Sequence, residues 1–310
     1  MPAISRRNLC KSGLALTAAA SIPSVIKPNF AIAQTNGFSE GRLFSFSDGN
    51  FVLPADVVFP GAPIADRDNI LGANGKDKNS ISRPVNINLL ELGDRKILFD
   101  AGSGGNFFPS LGELPAALSN AGVDPSSITD VLFTHAHPDH IWGILDDFDD
   151  LMMPDANYFI SRLEWEFWDS DNALASMAPG RENFAVGAKT RFDMIRDRVG
   201  LFDIGDEVLP QIEAVDSRGH TPGHTSFLIN DGSQAVMITG DVFLHNVIPF
   251  AYPSWVNGND LDHETASLTR ARLLDRLATE KIAFYGTHLP APGFGYVEKN
   301  GTAWRYLAAT

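Results

Sequence analysis

The chain has 310 residues, of which 44% are hydrophobic and 20% are charged, a composition typical of a globular protein with a buried core. Its formal charge of −14 argues against a nucleic-acid partner, because an acidic surface repels phosphate backbones. No apolar run approaches the roughly 20 residues of a membrane-spanning helix, so we expect no stable membrane anchor.

The first 33 residues carry the features of a twin-arginine export signal in the required order. Arg6 and Arg7 lie in a basic segment, an apolar stretch follows, and a small-x-small cleavage site ends at Ala33. We therefore expect a signal peptide over residues 1–33, an interaction with the twin-arginine export machinery, and a periplasmic or secreted mature protein. Cleavage would leave 20 basic and 38 acidic residues, a charge of −18, and would remove the only cysteine, Cys10.

Residues 34–310 are predicted to form a single catalytic domain of alternating strands and helices. Two short strands, residues 42–47 and 50–53, flank Asp48-Gly49, a dipeptide typical of hairpins, and a long polar loop is predicted over residues 60–84. Further strands are predicted at residues 85–90, 96–99, 130–134, 211–216, 225–230, 234–239 and 281–285, and helices at 111–121, 139–148, 182–199 and 262–279. This order predicts an α/β protein in which helices cover the sheets.

The strongest chemical signal is a His-Ala-His-Pro-Asp-His run directly after a predicted strand. Residues two apart point the same way in extended backbone, so His135 and His137 can converge on one ion. The chain then turns, and Asp139 and His140 from the first helical turn can reach a second position. Imidazole and carboxylate ligands suit zinc, iron, manganese or cobalt, and zinc is favoured for a hydrolase at neutral pH.

Three more ligand-type side chains follow predicted strands. His220 lies in a Gly-His-Thr-Pro-Gly-His turn, Asp241 follows Thr-Gly, and His288 follows Gly-Thr. Functional sites of α/β sheets usually lie at the carboxyl ends of strands. We therefore expect these side chains to join the His-Ala-His-Pro-Asp-His run in one site.

These motifs, in this order, resemble the metallo-β-lactamase-fold superfamily over residues 40–310, and within it the methyl parathion hydrolase and quorum-quenching lactonase group. The resemblance implies a four-layer αββα sandwich and two divalent metal ions. It implies that one ion is held by His135, His137 and His220, the other by Asp139, His140 and His288, and that Asp241 bridges both.

The resemblance also implies supporting roles for three further residues. Asp100, in a Phe-Asp-Ala-Gly segment, matches a strand-end aspartate that orients the histidine loop. His224, the second histidine of the glycine turn, matches a hydrogen-bonded supporting residue outside the ligand set. His245 has two open interpretations, since it could line the substrate pocket or order the loop that carries Asp241.

The predicted function is hydrolysis by a hydroxide that bridges the two ions. Two ions sharing one water would lower its pKa from about 15.7 towards 7. Asp139 is the candidate that accepts the proton of the nucleophile and passes it to the leaving group. The predicted substrate is a small, neutral, fairly apolar ester, lactone or phosphotriester, and Trp168 and Phe250, from aromatic-rich segments, are predicted to line its pocket.

Other functions fit the sequence less well. A mononuclear non-haem iron oxygenase of the same fold would use one iron, whereas His140 and Asp241 complete a second ligand set. A non-catalytic binding protein is disfavoured because the ligand set is intact. Lactonases of this group often have a tyrosine at the position of Leu244, which weakens a strict match to them. The oligomeric state stays open, with a homodimer as one alternative.

Overall fold

The computed structural model describes residues 41–309, so the predicted export signal lies outside the described residues and stays a prediction. The strands are β1 (Gly41–Pro54), β2 (Ser80–Leu92), β3 (Arg95–Phe99), β4 (Asp130–Leu132), β5 (Asn157–Ser161), β6 (Val199–Phe202), β7 (Glu207–Leu209), β8 (Ile212–Asp216), β9 (Thr225–Asn230), β10 (Ala235–Ile238), β11 (Ala283–Tyr285), β12 (Phe294–Asn300) and β13 (Ala303–Ala308). The helices are α1 (Ala55–Val58), α2 (Ile64–Ala73), α3 (Leu114–Asn120), α4 (Pro138–Ile141), α5 (Arg162–Trp168), α6 (Asp171–Ser176), α7 (Glu182–Ile195), α8 (Ile248–Ala251) and α9 (His263–Glu280).

The strands form two sheets. The first has the order β1-β2-β3-β4-β5-β6, and the second has the order β13-β12-β11-β10-β9-β8-β7. In the first sheet the pairs from β3 to β6 are parallel, and in the second only β10 and β11 are parallel. Parallel neighbours place their carboxyl ends at the same edge, which is where the predicted ligands follow.

Alternation along the strands produces the layers of the fold. In β3, Ile97 and Phe99 pack between the two sheets, whereas Leu98 packs under the helices that cover the first sheet. In β10, Met237 packs against α9, and the residues on either side of it pack between the sheets. Helices therefore cover both outer faces of two stacked sheets, and the predicted four-layer αββα sandwich is confirmed.

The predicted hairpin at Asp48-Gly49 is wrong, because β1 is one strand of 14 residues with a bulge at this point. The register with β2 shifts between Ser47 and Gly49. The buried carboxylate of Asp48 accepts hydrogen bonds from the backbone N–H and hydroxyl of Ser103 and from the N–H of Leu114. The dipeptide thus fastens β1 to the loops after β3 instead of reversing the chain.

The predicted loop over residues 60–84 contains the 10-residue helix α2 and the first residues of β2. Leu71 of α2 packs with Val58 and Ile81 in a small separate cluster, and this burial stabilises a helix whose sequence is largely polar. The predicted helix over residues 139–148 is shorter, since α4 ends at Ile141 and a single 3-10 turn follows it. In the described part of the chain, no helix has both the length and the apolar composition needed to cross a membrane.

Candidate metal centre

The predicted ligands lie just beyond strand ends, at one edge of the two sheets. The segment that carries His135, His137, Asp139 and His140 follows β4, and the other ligands follow β8, β10 and β11. The parallel pairing of β10 with β11 brings the ends that carry Asp241 and His288 side by side. A hydrogen bond of 2.9 Å from the N–H of Thr225 to the carbonyl of Thr134 ties the edges of the two sheets together.

Four of these side chains form the first cluster, which we define as His135, His137, His220 and Asp241. Nδ1 of His137 lies 3.0 Å from Nε2 of His135 and 2.9 Å from Nε2 of His220. Oδ2 of Asp241 lies 3.3 Å from Nε2 of His220 and 3.9 Å from Nε2 of His135. An ion held tetrahedrally at about 2.0–2.1 Å separates its ligand atoms by roughly 3.4 Å, so this spacing fits one metal ion.

The second cluster comprises Asp139, His140 and His288. Oδ2 of Asp139 lies 3.3 Å from Nε2 of His288 and 3.8 Å from Nε2 of His140. The carboxylate of Asp241 lies 3.2 Å from Nε2 of each of these two histidines. Asp241 therefore stands between the two clusters and can serve as a ligand in both.

The donor atoms themselves indicate metal binding. All seven residues are at most 6% exposed. Oδ2 of Asp139, Nε2 of His140 and Oδ1 of Asp241 are buried without a hydrogen-bond partner among residues 41–309. Buried polar atoms are almost always paired, and metal coordination would satisfy these three. The residues present thus fit two divalent ions.

The surroundings of His135 in the first cluster and His288 in the second shift the pKa values of these two histidines in opposite directions. Burial, reinforced by the nearby His140, holds the pKa of His135 well below its usual value, so this imidazole is neutral. For His288, the charges of Asp241 and Asp139 outweigh burial and raise the pKa to about 9. A metal ion binds only the deprotonated nitrogen. Metal binding to the second cluster should therefore release a proton and weaken as the pH falls.

Asp100 and His224 form hydrogen bonds with residues of the clusters without belonging to either cluster. Oδ2 of Asp100 lies 2.8 Å from Nδ1 of His140 and accepts the hydroxyl of Thr134, whose N–H donates to Oδ1. Nε2 of His224 accepts the backbone N–H of Asp241 at 3.1 Å, and its Nδ1 lies 2.8 Å from the hydroxyl of Ser217. Both nitrogens of His224 thus have hydrogen-bond partners, the backbone N–H of Asp241 and the hydroxyl of Ser217, and the supporting role of His224 stays a prediction.

His245 was expected either to line the substrate pocket or to order the loop that carries Asp241, and the structure shows features of both. Its Nδ1 accepts the backbone N–H groups of Val247 and Ile248, so the side chain orders the loop after Asp241. It also lines a second cavity of about 380 Å³, which shares His288 with the metal centre. This second cavity is separate from the one that opens onto the clusters.

Two buried acids support the first cluster and were not predicted from the sequence. Oδ1 of Asp260 lies 2.9 Å from Nδ1 of His220, and its Oδ2 accepts Nη1 of Arg270 at 2.7 Å. The position before α9 has no motif that would have identified Asp260.

Glu164 of α5 is the second of these acids. Its Oε1 accepts the N–H of Ala136 at 2.9 Å and the indole N–H of Trp168 at 2.6 Å. Its Oε2 accepts the hydroxyl of Thr221 at 2.7 Å and the N–H of Gly223 at 2.9 Å. Burial raises the pKa of Glu164, and these hydrogen bonds to the carboxylate oppose the rise. One side chain thus joins the two histidine loops of the first cluster.

Replacing Asp260 by alanine should weaken metal binding at the first cluster by about 10- to 100-fold, because His220 loses the acceptor that fixes its ring. The measurement is a competition titration with a chromophoric chelator. Asp262→Ala is the matched control, since Asp262 lies two residues away and caps α9 by accepting the N–H of Thr265. We expect the control to lose about 1 kcal/mol of stability and to retain its metal affinity. Equal metal affinity in Asp260→Ala and the parent protein would contradict this role.

The clusters open into a cavity of about 270 Å³, which we call the metal-centre cavity. Its apolar wall consists of Phe51, Leu53, Phe107, Phe108 and Phe184. Its polar wall includes Arg181, Asn183 and Asn259, and its remaining lining includes His137, Asp139, Asp241 and His288. A largely apolar wall with a few polar groups suits a small organic molecule.

Neither predicted pocket aromatic lines this cavity. Phe250 is 1% exposed and packs against Phe243 and Phe284 in the core beneath α9, which corrects the prediction. Trp168 is also 1% exposed. Its ring lies 5.6 Å from the ring of His137, and its indole N–H donates a hydrogen bond to the carboxylate of Glu164. It therefore supports a cluster residue from within the core instead of facing the cavity.

Comparisons with known proteins agree with this architecture. The sequence matches the metallo-beta-lactamase superfamily over residues 81–288. A search of curated protein sequences finds no match. The solved structure of AidC, a dizinc quorum-quenching lactonase, is 28% identical, with 91% of this chain and 98% of that chain covered and a TM-score of 0.84.

Two further solved structures share the fold at lower identity. The hydrolase AbOPH is 23% identical, with coverage of 91% and 98% and a TM-score of 0.83. A probable metal-dependent hydrolase from Staphylococcus aureus is 20% identical, with coverage of 88% and 98% and a TM-score of 0.70. The predicted resemblance is confirmed: the chain belongs to the metallo-beta-lactamase superfamily and is a metal-dependent hydrolase.

Proposed function

We propose that the protein binds two divalent ions, zinc in the first place, and hydrolyses a small, neutral, fairly apolar ester, lactone or phosphotriester. The position of Asp241 carries this proposal, because its carboxylate lies within 3.3 Å of ligand atoms in both clusters. Two such ions would polarise the substrate and lower the pKa of a shared water to about 7. AidC, a dizinc lactonase similar over 91% of this chain, makes a lactone the first substrate to test.

Asp139 is the residue proposed to move the proton. Burial raises its pKa, but His140 and His288 outweigh burial and hold it below the usual value, so the carboxylate is ionised. It also lines the metal-centre cavity, where the reacting group would lie. An ionised carboxylate at this position can accept the proton of the nucleophile and deliver it to the departing oxygen.

The walls of the metal-centre cavity favour a neutral substrate. Phe184 lies with its ring 5.7 Å from the rings of both His137 and Phe107, so an apolar group can pack beside the first cluster. On the other wall, Arg181 donates to the carbonyl of Gly258 and to the side chain of Asn259, which satisfies part of its guanidinium. Leu244, where lactonases of this group often have tyrosine, is buried and supplies no hydroxyl.

The proposal is tested by metal quantification followed by a hydrolysis panel of a lactone, an aryl acetate, a phosphotriester and a β-lactam. We expect two equivalents of metal and turnover of at least one of the first three substrates. No turnover of any of the four with two equivalents bound would contradict the proposal. One iron per chain, with oxygen consumption in the presence of a persulfide, would favour the oxygenase alternative.

Replacing Phe184 by alanine should raise KM about tenfold for an aryl ester, because apolar side chains of this size contribute about 1.5–3 kcal/mol when fully covered. The same change at Phe250 should leave KM unchanged and reduce stability by about 3–5 kcal/mol, as expected for a truncated core aromatic. Steady-state kinetics and denaturant unfolding of both variants separate the two effects. A raised KM in Phe250→Ala with Phe184→Ala unaffected would reverse our assignment of the cavity wall.

A further inference from the structure

One side of the metal-centre cavity is formed by four residues at the start of α7 or just before it, namely Gly180, Arg181, Asn183 and Phe184. The ring of Phe184 lies 5.7 Å from that of His137, a residue of the first cluster. The backbone N–H of Phe184 donates to the carbonyl oxygen of Arg181 at 2.9 Å. The position of this apolar ring therefore depends on the position of Arg181.

The start of α7 has little local support. Arg181 is the N-cap residue, and its side chain does not cap the free N–H groups of the first turn. Residues 174–180, which precede it, are exposed except for the half-buried Met177. Apart from those of the Arg181 side chain, the described hydrogen bonds of residues 171–183 stay within α6, α7 and the residues that flank and join them. The start of α7 thus depends on tertiary contacts for its position.

The side chain of Arg181 supplies such a contact, because it reaches the loop before α9. Its Nη1 donates to the carbonyl oxygen of Gly258 at 3.1 Å, and its Nη2 donates to Oδ1 of Asn259 at 3.2 Å. Asn259 precedes Asp260, whose Oδ1 lies 2.9 Å from Nδ1 of His220. Arg181 therefore ties the start of α7 to the loop that supports a residue of the first cluster.

The contact fixes a position and does not neutralise a charge. Arg181 is half-buried and makes no ion pair within the described part of the chain. Burial lowers the pKa of Arg181, and no carboxylate opposes this shift. Both acceptors are neutral oxygens, and the rigid fork of a guanidinium can bind two fixed acceptors at once. A mobile point charge such as an ammonium would not hold the two parts of the chain in one geometry.

We propose that Arg181 determines which esters the metal-centre cavity accepts, by holding the start of α7 against the loop that carries Asn259; this assignment rests on the proposed function. Arg181 is a positioning residue, since it acts through Phe184. With both hydrogen bonds in place, the ring of Phe184 covers the apolar part of a short ester. Without them this side of the cavity opens, so short esters lose the contact and longer esters gain room.

The first test compares p-nitrophenyl acetate with p-nitrophenyl octanoate as substrates of metal-loaded Arg181→Met. We expect KM for the acetate to rise about tenfold at nearly unchanged kcat, because hydrogen bonds from a charged donor shift an equilibrium by this much. The kcat/KM ratio of acetate to octanoate should fall by about the same factor. A general structural defect would lower both values alike. Metal content should stay at the parental level, since Asp260 keeps its bond to Arg270.

Lys189→Met is the matched control, because Lys189 is an exposed cation of α7 that donates to the carbonyl oxygen of Asp169, outside the cavity lining. It should keep the parental ratio of the two esters. Arg181→Lys keeps the charge but loses the fork, so its ratio should lie between those of the parent protein and Arg181→Met. It replaces Arg181→Met in all comparisons if the unfolding curve of Arg181→Met shows a loss of global stability.

Asn259→Ala separates positioning from direct contact with the substrate. If Arg181 acts through the cavity side, Asn259→Ala should change the ester ratio in the same direction as Arg181→Met. The double variant should then change it no further than Arg181→Met does, since the shared hydrogen bond is already lost. A lower KM for the acetate in Asn259→Ala would show that the freed guanidinium binds the substrate itself, and would overturn the positioning role.

Cleavage by chymotrypsin is a second test, and it does not need turnover. Leu174 is 49% exposed and lies in α6, just before the segment that Arg181 ties down. Proteolysis follows the population of the open form, so cleavage after Leu174 should be about tenfold faster in Arg181→Met than in the parent protein or Lys189→Met. Equal cleavage rates, or an unchanged ester ratio in Arg181→Met, would overturn the inference. Faster cleavage in a protein that hydrolyses neither ester would contradict only the proposed function.

Discussion

Replacing Asp241 by alanine is expected to lower kcat/KM by about a thousandfold or more, since metal-ion catalysis contributes several kcal/mol to the transition state. The carboxylate is the one side chain within 3.3 Å of ligand atoms from both clusters in the described structure, so its loss weakens both sites together. After gel filtration, Asp241→Ala should contain less metal than a variant in which a residue that belongs to only one cluster is replaced. Metal analysis and steady-state kinetics on the same preparation check both expectations.

Asp203→Asn is the control for this prediction, because Asp203 is exposed and forms a surface ion pair with Arg162. Surface pairs contribute about 0–1 kcal/mol, so stability, metal content and kcat/KM should stay close to those of the parent protein. Two tightly bound equivalents of metal in Asp241→Ala, together with undiminished kcat/KM, would show that Asp241 does not join the clusters.

The cluster residues were predictable because their geometry is local. His135 to His140 lie within six residues, and the alternation of an extended segment followed by a turn settles which side chains converge. The remaining ligands follow short apolar strands, and parallel strands end at a common edge. The layered fold was predictable for a related reason, since short apolar strands separated by amphipathic helices allow few arrangements.

The errors arose where a residue's partner is distant in sequence. Asp48-Gly49 has the composition of a turn, but its buried hydrogen bonds reach Ser103 and Leu114, which no local pattern indicates. Phe250 lies in an aromatic-rich segment, yet composition does not specify the face to which a ring points. Glu164 was not predicted, because its partners in the two histidine loops lie 28 to 59 positions away.

Replacing Glu164 by alanine should selectively weaken metal binding at the first cluster. The change leaves the N–H groups of Ala136 and Gly223 and the hydroxyl of Thr221 without their acceptor. Each unsatisfied buried group costs about 1–3 kcal/mol, so the free energy of unfolding should fall by several kcal/mol. Ala136 lies between two ligands of the first cluster and Thr221 follows the third, whereas the second cluster has no contact with Glu164. We therefore expect one equivalent of metal to stay bound and the other to be lost.

Glu166→Ala is the matched control, since Glu166 lies in the same helix and is exposed. It should retain both equivalents of metal and unfold at a denaturant concentration close to that of the parent protein. Glu164→Gln keeps the shape and one good acceptor but turns an amide N–H towards a donor, so its metal affinity should lie between those of the parent and Glu164→Ala. Chelator titrations are done at denaturant concentrations well below the unfolding midpoint. Under these conditions a lower metal affinity reports displaced ligand loops and not unfolding of the protein. If Glu164→Ala is less stable yet binds both equivalents with parental affinity, Glu164 stabilises the fold without positioning the ligands.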